Sequence, residues 1–124
     1  MAILLLLLCL LVVSCGGGSN PSPAPSPTPS NPYTFTLSSS GVSPKELTVP
    51  IGTRVAFVNH DTRQHDMTSD PHPDHTDCPD INQVALLTPG QSRETGNFVQ
   101  ERTCGYHDHD NPTITALQGS ITVK

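Results

Sequence analysis

From residue 33 onward the sequence predicts an all-β fold, two antiparallel sheets packed as a sandwich, on three observations. Four segments alternate apolar with small polar side chains at period two, turn-forming residues stand between them, and no stretch carries a long helical period. Tyr33-Thr34-Phe35-Thr36-Leu37 opens the pattern, and Ser40-Gly41 turns it. Leu47-Thr48-Val49 follows, closed by Pro50-Ile51-Gly52, and Arg54-Val55-Ala56-Phe57-Val58 is the third strand signal. Residues 70–82, rich in Pro, Asp and His, form the one long loop; Thr88-Pro89-Gly90 and Thr95-Gly96-Asn97 mark further turns. Gly119-Ser120-Ile121-Thr122-Val123 closes the sandwich. With 34% hydrophobic and 4% aromatic residues in a chain of 124, the core is mostly Val, Ile and Leu, enough for one small domain.

The chain upstream is of another kind. The apolar run over residues 3–13 is well short of the roughly 20 residues a bilayer-crossing helix needs and fits the core of a signal peptide. Val12-Val13-Ser14-Cys15-Gly16 then resembles the lipobox of bacterial lipoproteins. That resemblance implies a leader over residues 1–14, lost together with Cys9, and a lipid anchor on Cys15. Six of the 13 prolines fall between Pro21 and Pro32. Residues 15–32 therefore read as the lipidated Cys and a Pro/Ser/Gly-rich tether, too poor in apolar surface to fold. The expectation is a domain at 33–124 held to a membrane through the anchor, in the periplasm or at the cell surface.

A formal net charge of -5, with six Asp between Asp61 and Asp80, leaves no basic patch for nucleic acid. All six histidines fall between His60 and His109, in a segment that also holds Cys78 and Cys104. In Thr103-Cys104-Gly105-Tyr106-His107-Asp108-His109, the Cys-x-x-His spacing places a thiolate and an imidazole on one tight turn at a strand end, a pairing suited to copper or zinc. A third ligand has to come from elsewhere, and His65 is the candidate.

The order of the motifs is specific. Val42-Ser43-Pro44, Leu47-Thr48-Val49, Gly52, Val55-Ala56-Phe57-Val58-Asn59, His65, Pro89-Gly90-Gln91, Cys104-x-x-His107 and Gly119-Ser120-Ile121-Thr122-Val123 together resemble the cupredoxin family, plastocyanin most of all. The resemblance spans residues 41–124 and implies a Greek-key sandwich binding copper. The ligands it implies are His65, Cys104 and His107. Plastocyanin-like sequences carry Met five residues after the second histidine, where this chain has Pro112, and the stretch from Asp108 to Gln118 is longer than the family's loop. His109, two residues past His107 in an extended segment, returns to the same side and is the natural substitute; a third strong imidazole shifts the site toward a red or type-2 centre. Met67 stands in the same relation to His65, as an axial thioether or as core filling.

His72 and His75, with Cys78 nearby, have no counterpart in plastocyanin. They either bind a second metal, contribute to the first, or lie solvated in a polar insertion. His60 reads as a turn residue. After processing, Cys78 and Cys104 are the two remaining cysteines, and an oxidising compartment tends to pair them, which would remove the thiolate and leave a histidine-only site.

The resemblance implies a single-electron carrier whose acidic stretch docks a basic redox partner. The surplus of histidines motivates an alternative, copper storage or delivery through a type-2-like site with a Cys78–Cys104 disulfide. An enzyme acting at an open copper position on peroxide, superoxide or nitrite, and a purely structural sandwich, are the remaining readings. Nothing resembles a hydrolase triad or a phosphate loop.

Overall fold

The computed structural model describes residues 30–124; the expected leader over 1–14, Cys15 and most of the 15–32 tether lie outside the described residues. Nine short strands follow in order: β1 (Thr34–Ser38), β2 (Gly41–Ser43), β3 (Glu46–Val49), β4 (Ala56–Asn59), β5 (His65–Ser69), β6 (Ala85–Leu87), β7 (Ser92–Glu94), β8 (Arg102–Asp108) and β9 (Gly119–Val123). They form two sheets, one ordered β2-β1-β4-β7 and the other β3-β9-β8-β5-β6. The expected sandwich is the fold. Most neighbours are antiparallel, while β1 with β4 and β3 with β9 run parallel, because the chain crosses between the sheets after β2.

Alternation explains which residues lie between the sheets. In β1, Phe35 and Leu37 are buried while Thr34 and Thr36 are half-exposed; in β9, Ile121 and Val123 are buried between more exposed neighbours. Few as they are, the aromatic rings gather at one point: Phe35 packs 4.8 Å from Phe57 and 4.9 Å from Tyr106, and Phe57 meets Tyr106 edge-on at 5.3 Å. Each such fully buried side chain contributes about 1.5–3 kcal/mol through removal of apolar surface from water. The Tyr106 hydroxyl donates to the Lys45 carbonyl at 3.0 Å, which satisfies the polar end of a buried ring. Burial, and then the charge of Glu46, push its phenol well above the usual tyrosine range.

The sheet containing β8 and β5 positions the chemistry. Its register sets Met67 against Asp108, Thr68 against His107 and Ser69 against Tyr106. Residues 70–84 then leave the sheet as the long loop, ending in a 3-10 turn at Ile81–Gln83 that anchors Ile81 in the core.

Candidate metal centre

One strand presents two different sets of side chains. β8 runs without interruption from Arg102 to Asp108, and the ladder continues into His109, whose N–H donates to the Asp66 carbonyl at 2.7 Å. Successive side chains of a strand point to opposite faces, so Cys104, Tyr106 and Asp108 face the interior and Gly105, His107 and His109 face outward. Cys104 and His107, three residues apart, therefore cannot share a ligand set. The expected tight turn at Cys-x-x-His is not there, which corrects the assignment of Cys104 as the partner of His107 in a metal site.

The sulfur of Cys104 has another partner. Cys78 and Cys104 form a disulfide with their Cα atoms 5.7 Å apart, and both residues are fully buried. β5 ends at Ser69, opposite Tyr106 and two residues short of the level of Cys104. The loop that begins there brings Cys78 to that flank of β8. With its sulfur in a disulfide, Cys104 is no thiolate donor.

His65 also departs from the expectation. It is buried at 1% exposure, and both ring nitrogens are occupied: Nδ1 lies 2.9 Å from Asp108 Oδ2 and Nε2 lies 3.1 Å from Asp61 Oδ2. Carboxylates accept only, so a ring nitrogen that carries a proton donates to the carboxylate beside it. Asp108 serves four donors, its Oδ2 also taking Asn111 Nδ2 and its Oδ1 the backbone N–H groups of Asp66 and Asp110. Asp61 is held in turn by Arg63 at 3.1 Å. Burial alone raises the Asp61 carboxyl, but hydrogen bonds from the Thr62 N–H, His65 and Arg63, with the Arg63 charge, outweigh it and lower the pKa to about 2. Where the resemblance implied a metal ligand, the chain has built a buried hydrogen-bond network. Met67, fully buried beside it, fills the core.

The outer face of β8 holds the histidines together. The 70–84 loop folds back over it, fixed by the His75 N–H on the Pro71 carbonyl at 2.7 Å, the Asp77 N–H on the Asp70 carbonyl at 2.8 Å and Asn82 Nδ2 on the His75 carbonyl at 2.8 Å. Arg102 clamps the loop from β8 through the carbonyl and carboxylate of Asp77. His75 takes the left-handed backbone conformation at φ 52°, which is uncommon outside glycine and is held here by those bonds. As a result four imidazoles crowd one spot. The His75 ring centre lies 5.1 Å from that of His107 and 4.9 Å from that of His109, and His72 lies 5.6, 5.6 and 5.1 Å from His75, His107 and His109.

The ring nitrogens are sorted by their partners. His75 Nδ1 donates to the Ser69 carbonyl at 2.9 Å, and His107 Nδ1 donates to Asp70 Oδ1 at 2.6 Å. In the neutral form both residues therefore keep the lone pair on Nε2, which in His107 lies 3.5 Å from the Thr68 hydroxyl. His109 Nδ1 lies 2.9 Å from His75 Nε2 and donates to it. With its proton on the other nitrogen, His109 offers Nδ1 at the same point. One donor atom each from His72, His75 and His107 lie within 4.8 Å of one another. Two nitrogens bound to one ion at about 2.0–2.1 Å are at most about 4.2 Å apart, so the set is within a small ring rotation of a binding geometry. His72, the exposed member between two prolines, is the ring with room to make it. Desolvation, followed by the charges of His109, His107 and His75, lowers the His72 pKa against the opposing pull of Asp74, which favours the neutral, ligating form.

Of the residues expected at the site, His107 and His109 thus come together, and His65 and Cys104 face the other way. His72 and His75, set apart in the sequence as a second cluster, belong to the same centre. Asp70 opens that same acidic cluster and bonds His107. The pattern that reveals the arrangement is the alternation Cys104, Tyr106, Asp108 against Gly105, His107, His109. Along the acidic stretch from Asp61 to Asp80, Asp61 is buried, while Asp70 and Asp77 stay partly exposed beside His107 and Arg102.

No protein-family model matches the chain, and no curated protein matches its sequence. Solved structures do. A purple cupredoxin from Nitrosopumilus maritimus superposes with a TM-score of 0.55 at 21% identity, covering 73% of this chain and 98% of that one. Oxidised plastocyanin from Dryopteris crassirhizoma gives 0.57 at 18%, over 73% and 99%, and a reduced amicyanin variant gives 0.56 at 17%, over 73% and 80%. The fold is that of the cupredoxins.

Proposed function

We propose that this chain is an extracytoplasmic copper-binding protein that holds one copper ion through His72, His75, His107 and His109, on the outside of a cupredoxin sandwich. The convergence of the four imidazoles, while the sulfur of Cys104 is in a disulfide, carries this reading. Imidazole suits copper, zinc, iron and nickel, and among divalent ions of this series copper(II) binds nitrogen donors most strongly. The resemblance to copper-binding cupredoxins supports the same ion, and one of the similar amicyanin structures is described as Cu(I).

An all-nitrogen donor set favours storage or delivery of copper. A blue electron-transfer site needs a thiolate in the equatorial plane, and here that sulfur is bonded elsewhere. Single-electron transfer with a redox partner is the second reading, favoured by the likeness to plastocyanin and amicyanin. The Cys78–Cys104 disulfide supports an oxidising compartment. That agrees with a leader over 1–14, a lipid anchor on Cys15 and a tether to the membrane.

Loading the purified protein with Cu(II) tests the reading. One copper per chain is expected, with weak visible absorption, nitrogen hyperfine structure from several imidazoles in the electron paramagnetic resonance spectrum, and no free thiol at Cys78 or Cys104 before or after loading. An intense thiolate-to-copper band would overturn it. A reversible voltammetric wave of the loaded protein would favour the electron carrier, and ready transfer of copper to a chelator would favour delivery.

A further inference from the structure

We infer that Asp70, admitted to the face of β8 by the bare backbone of Gly105, is a positioning residue that fixes His107 in the tautomer presenting Nε2 to the metal. The inference rests on the copper-binding reading above. Two independent observations meet at this carboxylate. The first is its bond to His107 Nδ1 at 2.6 Å, the shorter of the two bonds that sort the protons of the ligand rings. Asp70 is about half exposed while His107 is 2% exposed, so the carboxylate caps a buried ring from the solvent side.

The second observation is the space that Asp70 occupies. A Cβ built on residue 105 would lie 2.9 Å from Asp70 Cγ and nearer still to Oδ2, so any side chain there would expel the carboxylate. The neighbouring backbone fixes the approach, with the Asp70 N–H on the Gly105 carbonyl at 3.1 Å. Gly105 is therefore a requirement of the metal centre, because its missing side chain leaves the path from Asp70 to His107 open. A carboxylate on the far nitrogen of a ligating imidazole orients the ring and raises its basicity, and removing such a partner commonly costs 10–100-fold in metal affinity.

The test compares the parent with D70A, D70N and G105A. Long-range nitrogen–proton NMR on the metal-free proteins reads which ring nitrogen of His107 carries the proton, and chelator competition reads Cu(II) affinity. The parent is expected to hold the proton on Nδ1. D70A should lose that preference and bind Cu(II) about 10–100-fold more weakly with little change in thermal midpoint. D70N keeps an acceptor oxygen and should retain the tautomer and much of the affinity. G105A should behave as D70A. Retention of both the Nδ1 proton and the parent affinity in D70A would overturn the inference. If the parent binds no copper, the copper reading falls, and the tautomer of His107 in D70A still decides the role of Asp70.

Discussion

The two faces of β8 are made from interleaved residues of one heptapeptide and do opposite things. Inward, Cys104 is bonded to Cys78, Tyr106 caps Lys45 and Asp108 closes on His65, so each reactive group has a permanent partner inside the protein. Outward, His107 and His109 meet His72 and His75 with donor nitrogens converging on one another. The interior is closed by the disulfide and by the hydrogen-bonded pairing of His65 with Asp61 and Asp108. Position along a strand therefore does not assign chemistry; the face does, and the loop covering that face decides whether donors are sealed or gathered.

Substitutions on the two faces should therefore separate cleanly. His107→Ala should abolish stoichiometric Cu(II) binding while leaving a folded sandwich. His65→Ala should leave Cu(II) affinity within a few-fold of the parent and cost about 3–5 kcal/mol of stability, because it leaves two buried carboxylates without their partner. Denaturant unfolding beside chelator competition checks both, and loss of copper in the His65 variant would break the comparison.

Replacing Cys78 and Cys104 together by Ser probes the seam between the faces, since the disulfide links the histidine loop to the interior side of β8. Its 26-residue separation predicts a loss of about 3–4 kcal/mol from the chain-entropy account. Weakened but persistent copper binding should accompany that loss, measured on the same samples. Complete loss of copper together with the thiols would implicate sulfur after all.

Acid sharpens the picture of the inner network. The Asp61 pKa falls from 3.8 to about 2 on folding, so its contribution to stability is present above about pH 4 and is lost as pH drops toward 2. Thermal midpoints of the parent should fall over that window, and Asp61→Asn should flatten the fall. The smallest effect is expected at Met67, fully buried in the core. Met67→Leu conserves volume, so it should cost less than about 1.5 kcal/mol and leave the copper spectrum unchanged; a changed spectrum would revive an interior ligand.

Much of the sandwich was legible because period-two alternation is a direct consequence of strand geometry, as in Phe35 and Leu37 or Ile121 and Val123. The parallel pairs were not, since crossing between sheets leaves no local pattern. At the site, the same alternation sets His109 beside His107, whereas Cys-x-x-His suggests a turn, although Tyr106 between two small or polar neighbours marks a continuing strand. His72, His75 and Asp70 reach the centre only through the fold of the 70–84 loop, which depends on contacts with Arg102 and Cys104 that are remote in sequence. The pairing of Cys78 with Cys104 was open on counting alone, and distance settles it.

Anomalous diffraction at the copper absorption edge, recorded on crystals of the copper-loaded protein, locates the ion on one side of β8 or the other. A single peak is expected on the outer face of β8, within about 2.0–2.1 Å of Nε2 of both His75 and His107. A peak in the interior between His65 and Cys104, with the disulfide opened, would contradict it.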